Sequence, residues 1–389
     1  MATTPDQGIF VEPTHVTVLR RLRLIRPEHR AQALRRVIMV VVVAWVPLAI
    51  LCAVPWLAFG DEEARSFFID VGAYGRFLLA VPILILSEYI ILPRLEATAQ
   101  QFLKSNLIDY ADRGRFDDAV ASSRRLSITI WPSTGMTLFV YVLVIILAIT
   151  IPQDILPAWQ KSDHGLHKSL AWWWHMLVST PLVLGLLLSW IWRIGVWARF
   201  LLLVSRMRLR LVPSHPDKAA GLQFVSYSPR LFAPLGLAVG VIAASSMANE
   251  VIHLGLKPVE HGAIPIITAV AVVLVFIGPP LVFGRALLMT WRRGVFDYGA
   301  LAGRVGAAFE DKWLSPGSKV DASALSAPDF SATTDLYSIT ANVYAMRPIL
   351  FDPRAAAALA LSALLPFAPI WMSVIPAKTL ISHLIGLLV

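Results

Sequence analysis

Seven stretches of this chain lack almost all charge, and each is close to the ~20 apolar residues that a helix needs to cross ~30 Å of hydrocarbon. They span residues 37–60, 77–93, 126–153, 169–192, 231–249, 262–284 and 355–377, each fenced by arginine, lysine or acid. Within the second, Glu88 is the single formal charge. With 57% hydrophobic and 15% charged residues and a mean hydropathy of +0.67, the composition is too apolar for a soluble chain of 389 residues. The expected fold class is all-α: a polytopic transmembrane helical bundle of about seven spans with a cytoplasmic N-terminus.

Orientation follows from the basic residues. If the N-terminus lies inside, the inner segments 1–36, 94–125, 199–230 and 285–354 carry 27 of the 34 Lys and Arg, against Arg65, Lys161, Lys168, Lys257 and Lys378 outside. The positive-inside rule therefore selects N-in and, with seven crossings, C-out. The piece after Pro376 has two readings, one along the outer interface and one folding back. The net charge of +9 alternates with the spans instead of lining one face, so no nucleic-acid partner is expected. The expected location is a bacterial inner membrane, multi-pass. Trp56, Trp159 and Trp172 to Trp174 fall at outer boundaries, and Trp131, Trp190, Trp197 and Trp291 near inner ones, the depths at which amphipathic rings anchor.

The chain accordingly divides into a basic N-terminal segment (1–36), a hairpin of spans one and two (37–93), a cytoplasmic helical segment (94–125) and a second hairpin (126–192). A cytoplasmic loop (193–230), a third hairpin (231–284), a cytoplasmic helical segment (285–354) and span seven with an interfacial tail (355–389) complete it. The first span reads as a retained helix, not a cleaved signal. Residues 14–36 interleave Val16, Leu19, Leu22 and Ile25 with arginines, a pattern suited to anionic lipids at the inner face. The segment 285–354 should continue span six as a helix to Trp313, break over Ser315 to Ser318, and resume near Thr334 with Thr333 or Thr334 as cap. Arg113 to Asp117 and Arg293 to Asp297 share four of five residues, too short a match to establish a repeat.

Polar groups at membrane depth mark the candidate sites. Glu88 in span two and Arg285 at the inner end of span six fall at similar depth, and Pro279 and Pro280 interrupt span six beside them, freeing carbonyls that need a polar neighbour. A structural ion pair beside a proline kink and a gate or coupling site are both open. At the outer end of span five, Ser246, Asn249, Glu250 and His253 share one helical face. Asp163, His164, His167, His175, Glu260 and His261 come from nearby outer loops. Hydrogen-bonded packing, pH sensing and a metal site drawn from Glu250, His253, His164 and His167 are the alternatives, and no metal or other cofactor is assigned. Cys52, the lone cysteine, excludes an intrachain disulfide.

In the loop, His215-Pro216-Asp217 spells the tripeptide of J-domain co-chaperones, but a span ends too close upstream for the soluble hairpin such a domain needs. Ser214 and Asp217 instead have the spacing of a helix-capping pattern, with Pro216 acceptable in a first turn. The stretch Arg206-Met-Arg-Leu-Arg-Leu-Val-Pro-Ser-His-Pro-Asp-Lys-Ala-Ala-Gly-Leu-Gln-Phe resembles a segment of an uncharacterised family of bacterial multi-spanning inner-membrane proteins. Asp335-Leu-Tyr-Ser-Ile through Ala345-Met-Arg-Pro-Ile-Leu-Phe-Asp is similar to that family too. The family's pattern has two glycines where this chain has Ala220-Gly221. The resemblance implies membrane topology and no mechanism.

No phosphate-binding loop, zinc-protease motif or nucleophile elbow is present, and no span carries a Schiff-base lysine. Three functions remain, with non-enzymatic roles favoured. One is small-solute or ion transport through the Glu88/Arg285 and Glu250/His253 levels. The next is a membrane sensor or scaffold whose 285–354 segment engages a cytoplasmic protein partner. The third is a membrane-embedded lipid-modifying enzyme using His215 and Asp217. A homo-oligomer is compatible with all three.

Overall fold

The computed structural model describes residues 9–10, 29–128, 130–150, 157–161, 168–255, 258–316 and 328–374. Every regular element among them is helical, and extended pairing is limited to two isolated bridges, Ile108 with Leu209 and Lys161 with Lys168.

Among the described residues, five helices are long and apolar enough to cross a membrane. The chain is thus an all-helical, multi-pass membrane protein. In chain order the main helices are α1 (His29–Phe59), α2 (Val71–Lys104), α3 (Arg113–Ile128), α4 (Ile130–Thr150) and α5 (Leu170–Ser205). They continue with α6 (Gln223–His253), α7 (Ala263–Ile277), α8 (Gly284–Trp313), α9 (Pro328–Tyr344) and α10 (Pro353–Met372). The five are α1, α2, α5, α6 and α10. A sixth arises if α7 and the helix from Pro279 to Trp313, bent by 42° at Gly278, count as one broken span. The described residues thus hold five or six candidate spans, against about seven expected. The third apolar run was read from Leu126, but α3 is a separate helix packed on α5, and the apolar part of α4, Thr134–Thr150, falls in a shorter class.

Local sequence explains how the helices start. Asp61, Asp70, Ser169 and Asp352 each accept a backbone N–H of the following turn, satisfying donors that a helix start leaves free. Besides an apolar core, the bundle presents apolar residues on its surface, as a bilayer requires: Ile38, Val42, Ile50 and Leu57 on α1, and Ile266, Ile267 and Leu274 on α7, point outward. Close helix approach is made by small residues. A Cβ added at Gly240 of α6 would lie 2.2 Å from the Ala363 carbonyl oxygen of α10, and one at Gly75 of α2 would lie 2.3 Å from Ser245 Cβ of α6.

Several tryptophans expected at the interface are core residues instead. Trp159, Trp172, Trp190 and Trp197 are buried, Trp190 donating to the Leu84 carbonyl at 3.1 Å. α8 runs to Trp313 as expected. The next helix begins at Pro328, one to two turns before the expected Thr334, and Phe330 packs its ring on Phe309 and Trp313 of α8. Arg113 to Asp117 opens α3 whereas Arg293 to Asp297 lies inside α8, so the matching pentapeptides hold different places. Most of 14–36 and all of 375–389 lie outside the described residues.

A candidate ligand pocket at the loop end

The turn after α2, residues 207–222 and the 285–354 segment meet at one end of the bundle, the loop end. Residues 207–227 form its centre. No helix starts at Ser214, contrary to the capping pattern. The chain turns tightly around Asp217, with Lys218, Ala220 and Gly221 at φ of 58°, 55° and 95°. L-residues rarely adopt this left-handed region. The Asp217 carboxylate is what holds it: Oδ1 accepts from Ala219 N at 2.9 Å and Gly221 N at 3.1 Å, and Oδ2 from Gln223 N at 3.1 Å. Three backbone amides converging on one carboxylate are stronger than neutral hydrogen bonds.

His215 Nδ1 lies 2.8 Å from Asp217 Oδ1. The same Nδ1 also accepts from the Asp217 backbone N–H at 3.3 Å, so the imidazole is held by its own loop. Nε2 has no partner among the described residues, and the imidazole lines a cavity of about 360 Å³. Arg210, Gln101, Ser105, Gln223 and Tyr227 line it too, and Gln101 is held by a 2.8 Å bond to the Ser105 hydroxyl. Arg210 donates its backbone N–H to the Leu107 carbonyl at 2.8 Å, which fixes one wall to the turn after α2. Asp217 is spent on the loop and on His215. The remaining formal charge in the lining is the Arg210 guanidinium, which suits an anion.

The back of the same loop is tied to the 285–354 segment. Arg347 N donates to the Lys218 carbonyl at 2.7 Å, and the Ser214 and Tyr298 hydroxyls are 3.2 Å apart. Gly294 of α8 approaches so closely that an added Cβ would lie 2.5 Å from Pro213 Cβ. Arg230 donates through Nε to Asp352 at 2.8 Å, and Asp352 caps α10. The two sequence patches singled out for their resemblance thus meet in space.

Ala220 occupies a conformation that favours glycine. Ala220→Gly should raise stability by up to about 1 kcal/mol by relieving the strained φ. Chemical unfolding in detergent checks this, and a loss of stability would contradict it.

The intramembrane candidates are arranged differently from expectation. Glu88 does not pair with Arg285, which is exposed. It sits between Arg36 of α1 and Arg193 of α5: Arg193 Nη1 donates to Oε1 at 2.8 Å, and Arg36 donates through both Nη atoms. All three side chains are largely buried, with exposures of 6%, 13% and 14%. Depth along a span was legible, but the direction around its axis decided the partner. Pro279 and Pro280 are buried in a short 3₁₀ turn at the bend before α8.

At the opposite end, Ser246, Asn249, Glu250 and His253 all lie on α6. They do not form one buried site: Ser246 bonds its own helix at Ile242 O, and His253 is exposed. His175, expected in a loop, is buried in α5, edge-on to Phe77 and Trp159. Sequence reasoning missed the polar centre here, in which buried Asp70 caps a turn of α2 and accepts Trp159 Nε1 at 2.7 Å. Among the described residues no three or more His, Cys, Asp or Glu group as a metal would require. Asp163, His164 and His167 lie outside those residues.

No protein-family model, curated protein or solved structure matches this chain.

Proposed function

We propose that the protein is a membrane sensor that binds a small anion in the His215 pocket and passes occupancy to the segment 285–354. One observation carries the reading: the loop whose front lines the pocket is bonded at its back to that segment, through Arg347 N to the Lys218 carbonyl. An anion drawn onto Arg210 beside His215 pulls on the loop, which has little slack because Asp217 pins three of its amides. The excess of Lys and Arg in the loop-end segments supports a cytoplasmic loop end and N-terminus, and with the family resemblance supports a bacterial inner membrane. The partner of the 285–354 segment is then a cytoplasmic protein.

Calorimetric titration of detergent-solubilised protein with inorganic pyrophosphate tests the binding step. Wild type is expected to bind, and His215→Ala, Arg210→Gln to bind at least tenfold more weakly. Equal binding by both proteins would remove the pocket as the anion site.

Small-solute or ion transport is the second reading, favoured by the Arg36–Glu88–Arg193 cluster together with the 42° bend at Gly278. On this reading Glu88→Gln abolishes flux in reconstituted vesicles. Unchanged flux would dismiss it.

A further inference from the structure

A second cavity lies on the flank of the bundle, independent of the His215 pocket. It is a groove of about 660 Å³ between α4 and α5, closed at one end by Leu126 of α3. Leu188, Ile191, Gly195 and Arg199 line it along one face of α5, and Gly135 and Phe139 face them from α4. The lining is apolar except at Arg199. From Leu188 to Arg199 the helix rises about 16 Å at ~1.5 Å per residue. One leaflet contributes about 15 Å, half of a ~30 Å hydrocarbon core.

The two glycines make the groove. A Cβ at Gly135 or Gly195 would meet nothing within 4 Å, so neither glycine serves close helix packing. This sets them apart from Gly75, Gly236 and Gly240, where a Cβ would collide with a neighbouring helix. Glycine inside a helix is unfavourable against alanine, and here it leaves open space. Trp192, also on the groove, donates Nε1 to the Leu126 carbonyl at 3.3 Å and so ties α5 to the end of α3 beside it.

The polar end is incomplete. Arg199 Nη2 donates to the Ser122 hydroxyl at 2.7 Å, which holds the guanidinium in place. Nη1 is buried and has no acceptor. A buried charged donor without an acceptor is expensive, and no carboxylate lines the groove to supply one. An apolar channel one leaflet deep, ending in an arginine with one nitrogen left without an acceptor, suits a lipid with an anionic head.

We propose that this groove holds one acyl chain of an anionic glycerophospholipid from the loop-end leaflet, with the lipid phosphate accepting from Arg199. The zwitterionic and anionic lipids share the phosphate, and the net negative head is selected by the guanidinium, which has no acid beside it in the groove. Gly195→Leu fills the channel from a position where the added side chain meets open space, and Arg199→Gln removes the charge.

The test is native mass spectrometry of delipidated wild-type protein titrated with phosphatidylglycerol or phosphatidylcholine in detergent. Wild type is expected to retain one phosphatidylglycerol at least tenfold more tightly than phosphatidylcholine. Arg199→Gln should lose that preference while still accepting either lipid weakly, and Gly195→Leu should lose retention of both. Absence of a tightly held phosphatidylglycerol on wild type would overturn the proposal, as would an unchanged preference in Arg199→Gln. Should Gly195→Leu not fold, the lipid preference of Arg199→Gln still decides the matter.

Discussion

Replacing Glu88 by glutamine should lower stability by about 3–5 kcal/mol, the usual cost of removing one partner from a buried ion cluster. The carboxylate takes hydrogen bonds from Arg36 of α1 and Arg193 of α5, and all three groups are largely withdrawn from solvent. Glutamine keeps an acceptor oxygen but loses the charge and turns an amide donor toward guanidinium groups. Two buried cations would then repel each other without compensation. The loss concerns the whole bundle, because the cluster joins three of the five long helices. A Glu88→Leu, Arg36→Met, Arg193→Met triple variant is the control, expected within about 1 kcal/mol of wild type since apolar replacement of a complete buried cluster is often neutral or stabilising. Denaturant unfolding in detergent separates the two. A Glu88→Gln protein as stable as wild type would mean that the cluster is hydrated and weakly coupled.

Asp217→Ala is expected to cost the loop at least about 3 kcal/mol, because hydrogen bonds to a charged group contribute ~1.5–3 kcal/mol each and three backbone amides end on this carboxylate. The change is also expected to release the left-handed backbone at Lys218 and Ala220, which nothing else in the loop compensates so directly. Amide exchange of residues 212–224 should accelerate by at least tenfold while the spans stay protected. Asp217→Asn retains one acceptor oxygen and should fall between wild type and alanine. Unaltered exchange in Asp217→Ala would show that packing against Leu107 and the 285–354 segment alone holds the turn.

The spans were legible because a bilayer demands long uninterrupted apolar runs, and α1, α2, α5, α6 and α10 supply them. The third run, read from Leu126, takes in the end of α3 because apolar composition continues across the helix junction into α4. At Glu88, axial depth is readable but azimuth is not, and the partners are Arg36, which enters the sequence reading only through the charge of the N-terminal segment, and Arg193, which falls on neither side of that count. At Asp217, the Ser-x-x-acid spacing suited a helix start, yet the carboxylate wraps the backbone that follows it. The small run Ala219-Ala220-Gly221 carried the usable signal: a chain that must fold back around one side chain needs residues with little bulk and, at Gly221, no Cβ against Leu107. The docking of Arg347 on this loop had no local signature, since it joins segments more than a hundred residues apart.

The coupling of pocket to segment is tested most directly by hydrogen exchange of the Pro328–Tyr344 helix and of residues 345–352, with and without inorganic pyrophosphate. Slower exchange in wild type on adding pyrophosphate, absent in His215→Ala, is the predicted result. Pyrophosphate that binds in the pocket and leaves exchange in 328–352 untouched would contradict a sensor and leave only a binding site.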